Sequence, residues 1–91
     1  MYTNVHSLIY RELSEMDQQF LLAMAEDVKE TRIMDLRKRL GKPSGFVSKY
    51  RERLLNCGLI ESRKYGHVQF VLPFMQEFLL GKLKEQKYQN L

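Results

Sequence analysis

Residues 34–62 read MDLRKRLGKPSGFVSKYRERLLNCGLIES, and this stretch decides the predicted fold. On both sides of the Gly-Lys-Pro-Ser segment at residues 41–44, apolar side chains recur every three or four residues, as in an amphipathic helix. Gly41 can adopt the left-handed conformation that ends a helix, and Pro43 cannot continue one. The stretch therefore predicts two short helices joined by a tight turn.

Local signals predict the ends and the buried faces of these two helices. The expected N-caps are Thr31 for the first helix and Ser44 for the second. The second helix is expected to span about residues 44–57 and to stop at Gly58. The side chains expected in the core are Ile33, Leu36 and Leu40 from the first helix, and Val47, Tyr50, Leu54 and Cys57 from the second.

A β-hairpin and a last helix are predicted downstream. Residues 59–72 contain alternating apolar positions at Val68, Phe70 and Leu72, which indicate a half-buried strand. The tip of the hairpin lies at residues 64–67. Pro73 fits the first turn of the last helix, and the expected inner face of that helix comprises Met75, Phe78, Leu79 and Leu83.

The remaining segments complete a one-domain plan. A helix is predicted from Ser14 to about Asp27, with an inner face that comprises Met16, Phe20, Leu21, Leu22, Ala23 and Met24. Residues 1–13 have no clear period and are expected to form an arm or linker, whereas residues 84–91 are expected to form a polar tail. The predicted fold is mainly α with a small β-hairpin, an α+β winged helix-turn-helix of order α-α-α-β-β-α over residues 14–83.

Composition excludes several classes of protein. The 91 residues allow one small domain. The single cysteine, Cys57, cannot form an internal disulfide, and His6 and His67 are too far apart in sequence for a zinc-finger pattern. Residues 20–25 form the longest apolar run, which is far below the ~20 residues of a membrane-spanning helix. We therefore expect a cytoplasmic protein with no membrane partner.

No sequence pattern points to catalysis. The chain has no phosphate-binding glycine loop and no nucleophile elbow. Glu26, Asp27 and Glu30 lie around a helix end, where we expect solvated carboxylates rather than a metal or acid–base site. We therefore expect no enzyme activity, no cofactor, no metal and no small-molecule substrate.

Positive charge is concentrated in the middle of the chain. Residues 1–31 carry two basic and six acidic side chains, residues 32–63 carry nine and three, and residues 64–91 carry four and two. The middle third therefore has a net charge of +6 within a chain of net charge +4. Such a distribution favours a polyanionic partner such as nucleic acid.

The outward face of the second helix of the pair holds the main DNA-binding candidates. Small residues at its start, namely Ser44, Gly45 and Ser48, allow close approach to DNA. Lys49 can contact a phosphate or a guanine, and Glu52 can accept from a cytosine amino group. The other candidates on this helix and in the preceding turn are Lys42, Asn56, and the expected phosphate contacts Arg51 and Arg53.

The hairpin tip supplies a second set of candidates. Arg63, Lys64, Tyr65 and His67 surround Gly66. This composition suits a wing that touches phosphates or enters a minor groove.

The quoted stretch also resembles a known family. Together with GHVQFVLPFMQEFLL from Gly66, it resembles the winged-helix region at the C-terminus of certain prokaryotic AAA-type ATPases, over roughly residues 13–80. The matching segments are residues 39–44, 48–51, 58–60 and 70–73. The resemblance implies that Ser44, Ser48, Lys49 and Arg51 lie at the nucleic-acid face and that Leu54, Ile60 and Phe70 lie in the core. It carries no ATP hydrolysis to this chain, because no nucleotide-binding motif is present.

Two functions from different classes follow as hypotheses. The first is a non-catalytic domain that binds double-stranded DNA, with residues 44–57 in the major groove and residues 59–72 on the backbone or minor groove, as a small regulator of transcription or as part of a larger ATPase. The alternative is a protein-interaction or dimerisation module. Its candidate contacts are Tyr2, Val5, Leu8, Ile9 and Tyr10, or Leu80 and Leu83. A homodimer is compatible with either.

Overall fold

A computed structural model describes residues 5–89, with side chains for residues 5–86. The helices are α1 (Val5–Glu12), α2 (Glu15–Met24), α3 (Ile33–Leu40), α4 (Ser44–Asn56) and α5 (Met75–Gln89). The strands are β1 (Thr31–Arg32), β2 (Ile60–Glu61) and β3 (His67–Phe70). The fold is mainly α with a small antiparallel sheet, which confirms the predicted α+β class. The order of elements differs from the prediction by one added helix and one added strand.

Helix α2 lies at the centre of the core. Its N-cap is Ser14, as predicted, and the Ser14 hydroxyl accepts a hydrogen bond from the Asp17 amide at 3.2 Å. The helix ends at Met24, three residues before the predicted end. Five consecutive side chains from Phe20 to Met24 are buried, and α2 contacts α3, α4 and α5. A helix that is apolar on nearly all sides needs neighbours on nearly all sides.

Both ends of the described chain are more helical than the sequence predicts. Residues 5–12, expected to be an arm or linker, form α1, and residues 84–89, expected to be a polar tail, continue α5. The apolar residues Val5, Leu8 and Ile9 do recur at the spacing of a helix, a signal that the sequence reasoning missed, but no side chain of α1 is buried. Instead, α1 packs against α5 through Tyr10 and Phe78, whose rings meet edge to face at 5.8 Å.

Three predicted helix signals are wrong. Thr31 is not an N-cap but lies buried in β1, where its hydroxyl donates to the Met24 carbonyl oxygen at 3.2 Å. Ser44 is the first residue of α4 rather than its cap, a position that Pro43 occupies. Pro73 precedes α5 by two residues, and Phe74 between them has a φ of 64°. Each signal lies within one or two residues of the observed helix start, which is the usual uncertainty of helix boundaries.

The sheet places the hairpin against the helices. Strand β3 lies between β1 and β2 and is antiparallel to both, with Thr31 opposite Val68 and Ile60 opposite Phe70. The β2–β3 hairpin agrees with the prediction, although its strands are shorter. The sequence reasoning missed β1, because two residues are too few to show a strand period.

The predicted buried stripe of α4 is correct in its middle and wrong at its end. Val47 and Leu54 are buried, and Tyr50 is half-buried. Cys57 is exposed, contrary to the prediction. It is the C-cap residue of α4, and the chain reverses immediately afterwards at Gly58, whose φ is 78°. The core that α4 joins comprises Leu36, Leu59, Ile60, Val68, Met75, Leu79 and the apolar side chains of α2.

Candidate nucleic-acid interface

The outward face of α4 is exposed as predicted. Because Val47 and Leu54 fix which side of the helix enters the core, the opposite side faces solvent along its whole length. The exposed residues there are Gly45, Ser48, Lys49, Glu52 and Asn56, which together with Arg53 line a shallow depression. The structure therefore brings these predicted candidates together on one surface.

The hairpin tip lies next to the middle of α4. Ser48 and Arg51 from α4 share a depression of about 330 Å³ with Tyr65 and Gly66 from the tip and with Ile33 from α3. Tyr65 is fully exposed. The fold thus joins two candidate regions that are separated in sequence, and it leaves an aromatic side chain and a guanidinium group at their junction.

Internal hydrogen bonds hold the shape of the tip. The Ser62 hydroxyl lies 2.7 Å from the His67 carbonyl oxygen and 3.2 Å from that of Lys64. His67 Nδ1 lies 3.0 Å from the Tyr65 carbonyl oxygen, so this histidine has a structural partner. Gly66, with a φ of 77°, permits the reversal between them. The Lys64 and Tyr65 side chains project from an organised turn.

Arg53 has a structural role that the sequence reasoning missed. Its Nη2 donates to Asp17 Oδ2 at 2.9 Å, and its Nε donates to Asp17 Oδ1 at 3.4 Å. The Asp17 carboxylate is only 4% exposed and also accepts from the Ser14 hydroxyl at 2.8 Å. The Arg53 guanidinium lies 5.5 Å from the centre of the Tyr50 ring. This side chain ties α4 to α2, while 53% of it remains exposed.

Other cations are also engaged within the domain. Arg39 Nη1 donates to Asp27 Oδ2 at 2.8 Å and to the Ala23 carbonyl oxygen at 2.9 Å. The expectation that Asp27 is solvated is therefore wrong. Its hydrogen bond with Arg39 lowers the Asp27 pKa below the usual value. Arg63 Nε lies 2.9 Å from the Glu61 carboxylate, although both groups remain accessible.

The remaining cations of this region form no ion pair with the described side chains. They are Arg37, Lys38, Lys42, Lys49, Arg51 and Lys64. Lys42 Nζ lies 5.2 Å from the centre of the Phe46 ring, and Lys49 Nζ lies 5.9 Å from that of Tyr50. These contacts orient the two lysine stems along the flank of α4 without neutralising their charge.

Two basic residues of this surface were absent from the sequence-derived site. Arg37 and Lys38 of α3 line a depression of about 260 Å³ together with Lys42 and the exposed Met34. Arg37 and Lys38 contribute to the positive charge of residues 32–63. The sequence alone could not show that they stay unpaired whereas Arg39 forms an ion pair with Asp27. Their accessible ammonium and guanidinium groups provide more donors for phosphate oxygens.

Apart from Glu52, the charged side chains of this surface are cations, and its neutral polar groups can donate hydrogen bonds. Cationic side chains, the Ser48 hydroxyl and the backbone amides at the start of α4 can all donate to phosphate oxygens. Within residues 5–86, no group of three or more His, Cys, Asp or Glu side chains is placed to hold a metal ion. Among the helices of the described chain, none is long and apolar enough to cross a membrane.

Comparison with known proteins assigns a family. A sequence model of the family described as a domain of unknown function, DUF8462, matches residues 3–79. No curated protein and no solved structure matches the chain. Because the family match covers most of the 91 residues, the chain belongs to the DUF8462 family.

Proposed function

We propose that this domain binds double-stranded DNA and does so without catalysis. In this proposal α3 and α4 act as a helix-turn-helix, α4 enters the major groove, and the β2–β3 hairpin acts as a wing on the backbone or in the minor groove. The observation that carries the proposal is the depression shared by Ser48, Arg51 and Tyr65, where the middle of α4 meets the hairpin tip.

The dimensions and exposure of α4 support insertion into a groove. Its 13 residues make a rod about 20 Å long at 1.5 Å per residue. Its first turn carries Ser44 and Gly45, which leave space for DNA backbone near the helix N-terminus. The major groove is about 12 Å wide and accepts one helix.

The accessible cations divide into two expected roles. Lys49 lies beside Glu52 on the exposed face of α4, and this position supports base contacts by these two side chains. Arg37, Lys38, Lys42 and Lys64 flank them and are suited to phosphates. Arg51 lies where α4 meets the hairpin tip, so it is suited to a phosphate of the DNA backbone between the major and the minor groove. Arg53 is left out of this set because it holds Asp17.

The cellular setting is part of the same proposal. We propose that the domain works in the cytoplasm, as a small regulator of transcription or as the DNA-engaging part of a larger ATPase. The motif resemblance over residues 34–62 supports the second setting. Neither setting changes the predicted contacts with DNA.

The proposal is tested by fluorescence anisotropy with a labelled random-sequence duplex at about 50 and 200 mM salt, where phosphate contacts give a steep salt dependence. Arg51→Ala and Lys49→Ala should each weaken binding several-fold and lower the slope of log affinity against log salt by about one if the side chain contacts phosphate. Lys29→Ala is the matched control, because Lys29 is exposed and lines none of the three depressions that hold the candidate residues of α3, α4 and the hairpin tip. Absence of binding at the lower salt concentration would refute the DNA proposal.

A protein-interaction function is the second candidate, and a specific observation favours it. Val5 and Leu8 of α1 and Leu80 of α5 are exposed apolar side chains, as that hypothesis requires. If the domain fails to bind DNA but associates with itself or with another protein through these residues, this second function replaces the first.

A further inference from the structure

Helix α5 has a second, outward face that the core does not use. Met75 and Leu79 are buried on the inner face. On the opposite side, four exposed residues follow the spacing i, i+3, i+4 and i+7, which places them on one stripe of the helix. These residues are Glu77, Leu80, Gly81 and Lys84.

One apolar side chain on this stripe is exposed, and a second precedes the helix. Leu80 is 39% exposed, and Phe74, immediately before the helix, is 74% exposed. Phe74 also has a φ of 64°, an unfavourable conformation for a bulky residue. Phe74 and Glu77 line the same depression, which also includes Val28 and Phe70.

Gly81 has no evident role within the domain. It lies in the middle of α5, without a positive φ, and a Cβ atom added there would meet no other atom within 4 Å. Glycine weakens a helix interior relative to alanine. A glycine in this position does allow a second helix to approach the backbone closely.

The charged residues of this face can pair with those of the same face on a second copy of the chain. A two-fold axis passing between Leu80 and Gly81 would set α5 antiparallel to its copy, with each Leu80 above the Gly81 of the other chain. The same axis places Glu77 opposite Lys84. Neither Glu77 nor Lys84 forms an ion pair with any described side chain of its own chain.

We propose that the outward face of α5 is a homodimer interface in which two copies of α5 pack antiparallel. Leu80 fills the space above Gly81, and two symmetric Glu77–Lys84 pairs set the register. One pair of helices covers less surface than the ~1,200–2,000 Å² of a stable complex, so the dimer is weak and depends on concentration. This inference does not depend on DNA binding.

The test is sedimentation equilibrium of the full chain from about 10 µM to 1 mM, a range that reports weak association. The wild type should move from monomer toward dimer. Glu77→Lys and Lys84→Glu should each weaken dimerisation about tenfold or more, because each creates like charges across the interface. The double variant Glu77→Lys with Lys84→Glu should recover dimerisation, because it restores opposite charges. Glu12→Lys is the matched control and should leave dimerisation unchanged.

A second variant separates the interface from folding. Gly81→Leu fills open space on the monomer and should keep or raise the melting temperature, while it blocks the seat of Leu80 and abolishes the dimer. A wild type that stays monomeric throughout the range would overturn the proposal. So would a dimer that the charge variants leave unchanged, or a double variant that stays as weak as the single ones.

Discussion

The arginines of the basic segment form two groups. Some form an ion pair with a carboxylate of the domain, and others have no such partner among the described residues. Arg53 and Arg39 donate to Asp17 and Asp27 and act as links between helices. Arg51 has no such partner among the described residues and lies beside the hairpin tip. Side chains of the same type in one basic segment therefore have different roles, and the carboxylates of α2 and the following loop determine which.

Replacing Arg53 should lower the stability of the fold, whereas replacing Arg51 should weaken DNA binding. Arg53→Ala leaves the buried Asp17 carboxylate without its cation, so we expect a lower melting temperature. Arg51→Ala should leave the melting temperature nearly unchanged while it weakens DNA binding. Circular dichroism melts and anisotropy titrations of both variants check this pattern. Equal melting temperatures for the two variants would contradict the structural role of Arg53.

The Asp27–Arg39 pair predicts a component of acid sensitivity. The folded-state pKa of Asp27 lies below its usual value of 3.8. The pair therefore stabilises the fold above pH 3.8, and this contribution is lost as pH falls from there through the lower, folded-state pKa. Asp27 is 30% exposed, so we expect less than about 1 kcal/mol. Asp27→Asn should reduce the fall in melting temperature between about pH 5 and pH 3.

Melts of Asp27→Asn at several pH values provide the measurement, and Glu30→Gln is the control. The Glu30 side chain forms no ion pair with a described residue, so its variant should follow the wild type. Parallel curves for wild type and Asp27→Asn would show that the pair contributes nothing to acid stability.

Helix α3 ends at a glycine with a left-handed backbone conformation. Gly41 terminates α3 with a φ of 66°, and its amide donates to the Arg37 carbonyl oxygen at 2.9 Å. This left-handed residue turns the chain sharply before α4, which begins three residues later. The turn thereby sets the relative placement of α3 and α4, on which the proposed helix-turn-helix depends.

Gly41→Ala and Gly45→Ala should therefore have different effects on the free energy of unfolding. Gly41→Ala forces a side chain into the left-handed region and should destabilise the fold by about 1 kcal/mol. Gly45→Ala, in the first turn of α4 with open space around it, should be neutral or stabilise the fold by up to about 1 kcal/mol. Urea unfolding of both variants gives the two free energies. Equal effects would contradict the role of Gly41 in ending α3.

Across the domain, one core joins elements from both ends of the chain. Helix α5 places Met75 and Leu79 against the same cluster as Phe20 and Leu36. The radius of gyration, 12.9 Å, is close to the ~12 Å of a compact domain of this length. The domain should therefore unfold in one cooperative transition that includes α5.

Neighbouring leucines of α5 test this prediction. Leu79 is fully buried, and Leu79→Ala should cost about 2–5 kcal/mol of unfolding free energy. Leu80→Ala, at a dilution where the chain is monomeric, should change it by no more than about 0.5 kcal/mol. Urea unfolding followed by circular dichroism measures both. A separate early transition for α5 would contradict the single core.

Much of the candidate site was predictable from local sequence. The period of residues 44–57 identified Val47 and Leu54 as buried, and this assignment alone placed Gly45, Ser48, Lys49 and Glu52 on the opposite, exposed face. The pairing of Arg53 with Asp17 was not predictable, because those residues are 36 positions apart. Local patterns do not specify which distant charges will meet.

The amino-acid sequence determined the main helices, the turn at Gly41, the hairpin and the concentration of positive charge, because each of these depends on residues close together in the chain. The tertiary structure decided the rest. Helix α1 packs against α5, pairing with Val68 makes Thr31 part of a strand, and Asp17 and Asp27 form ion pairs with two arginines of the basic segment. These outcomes depend on contacts between distant segments, which form only when the chain is folded.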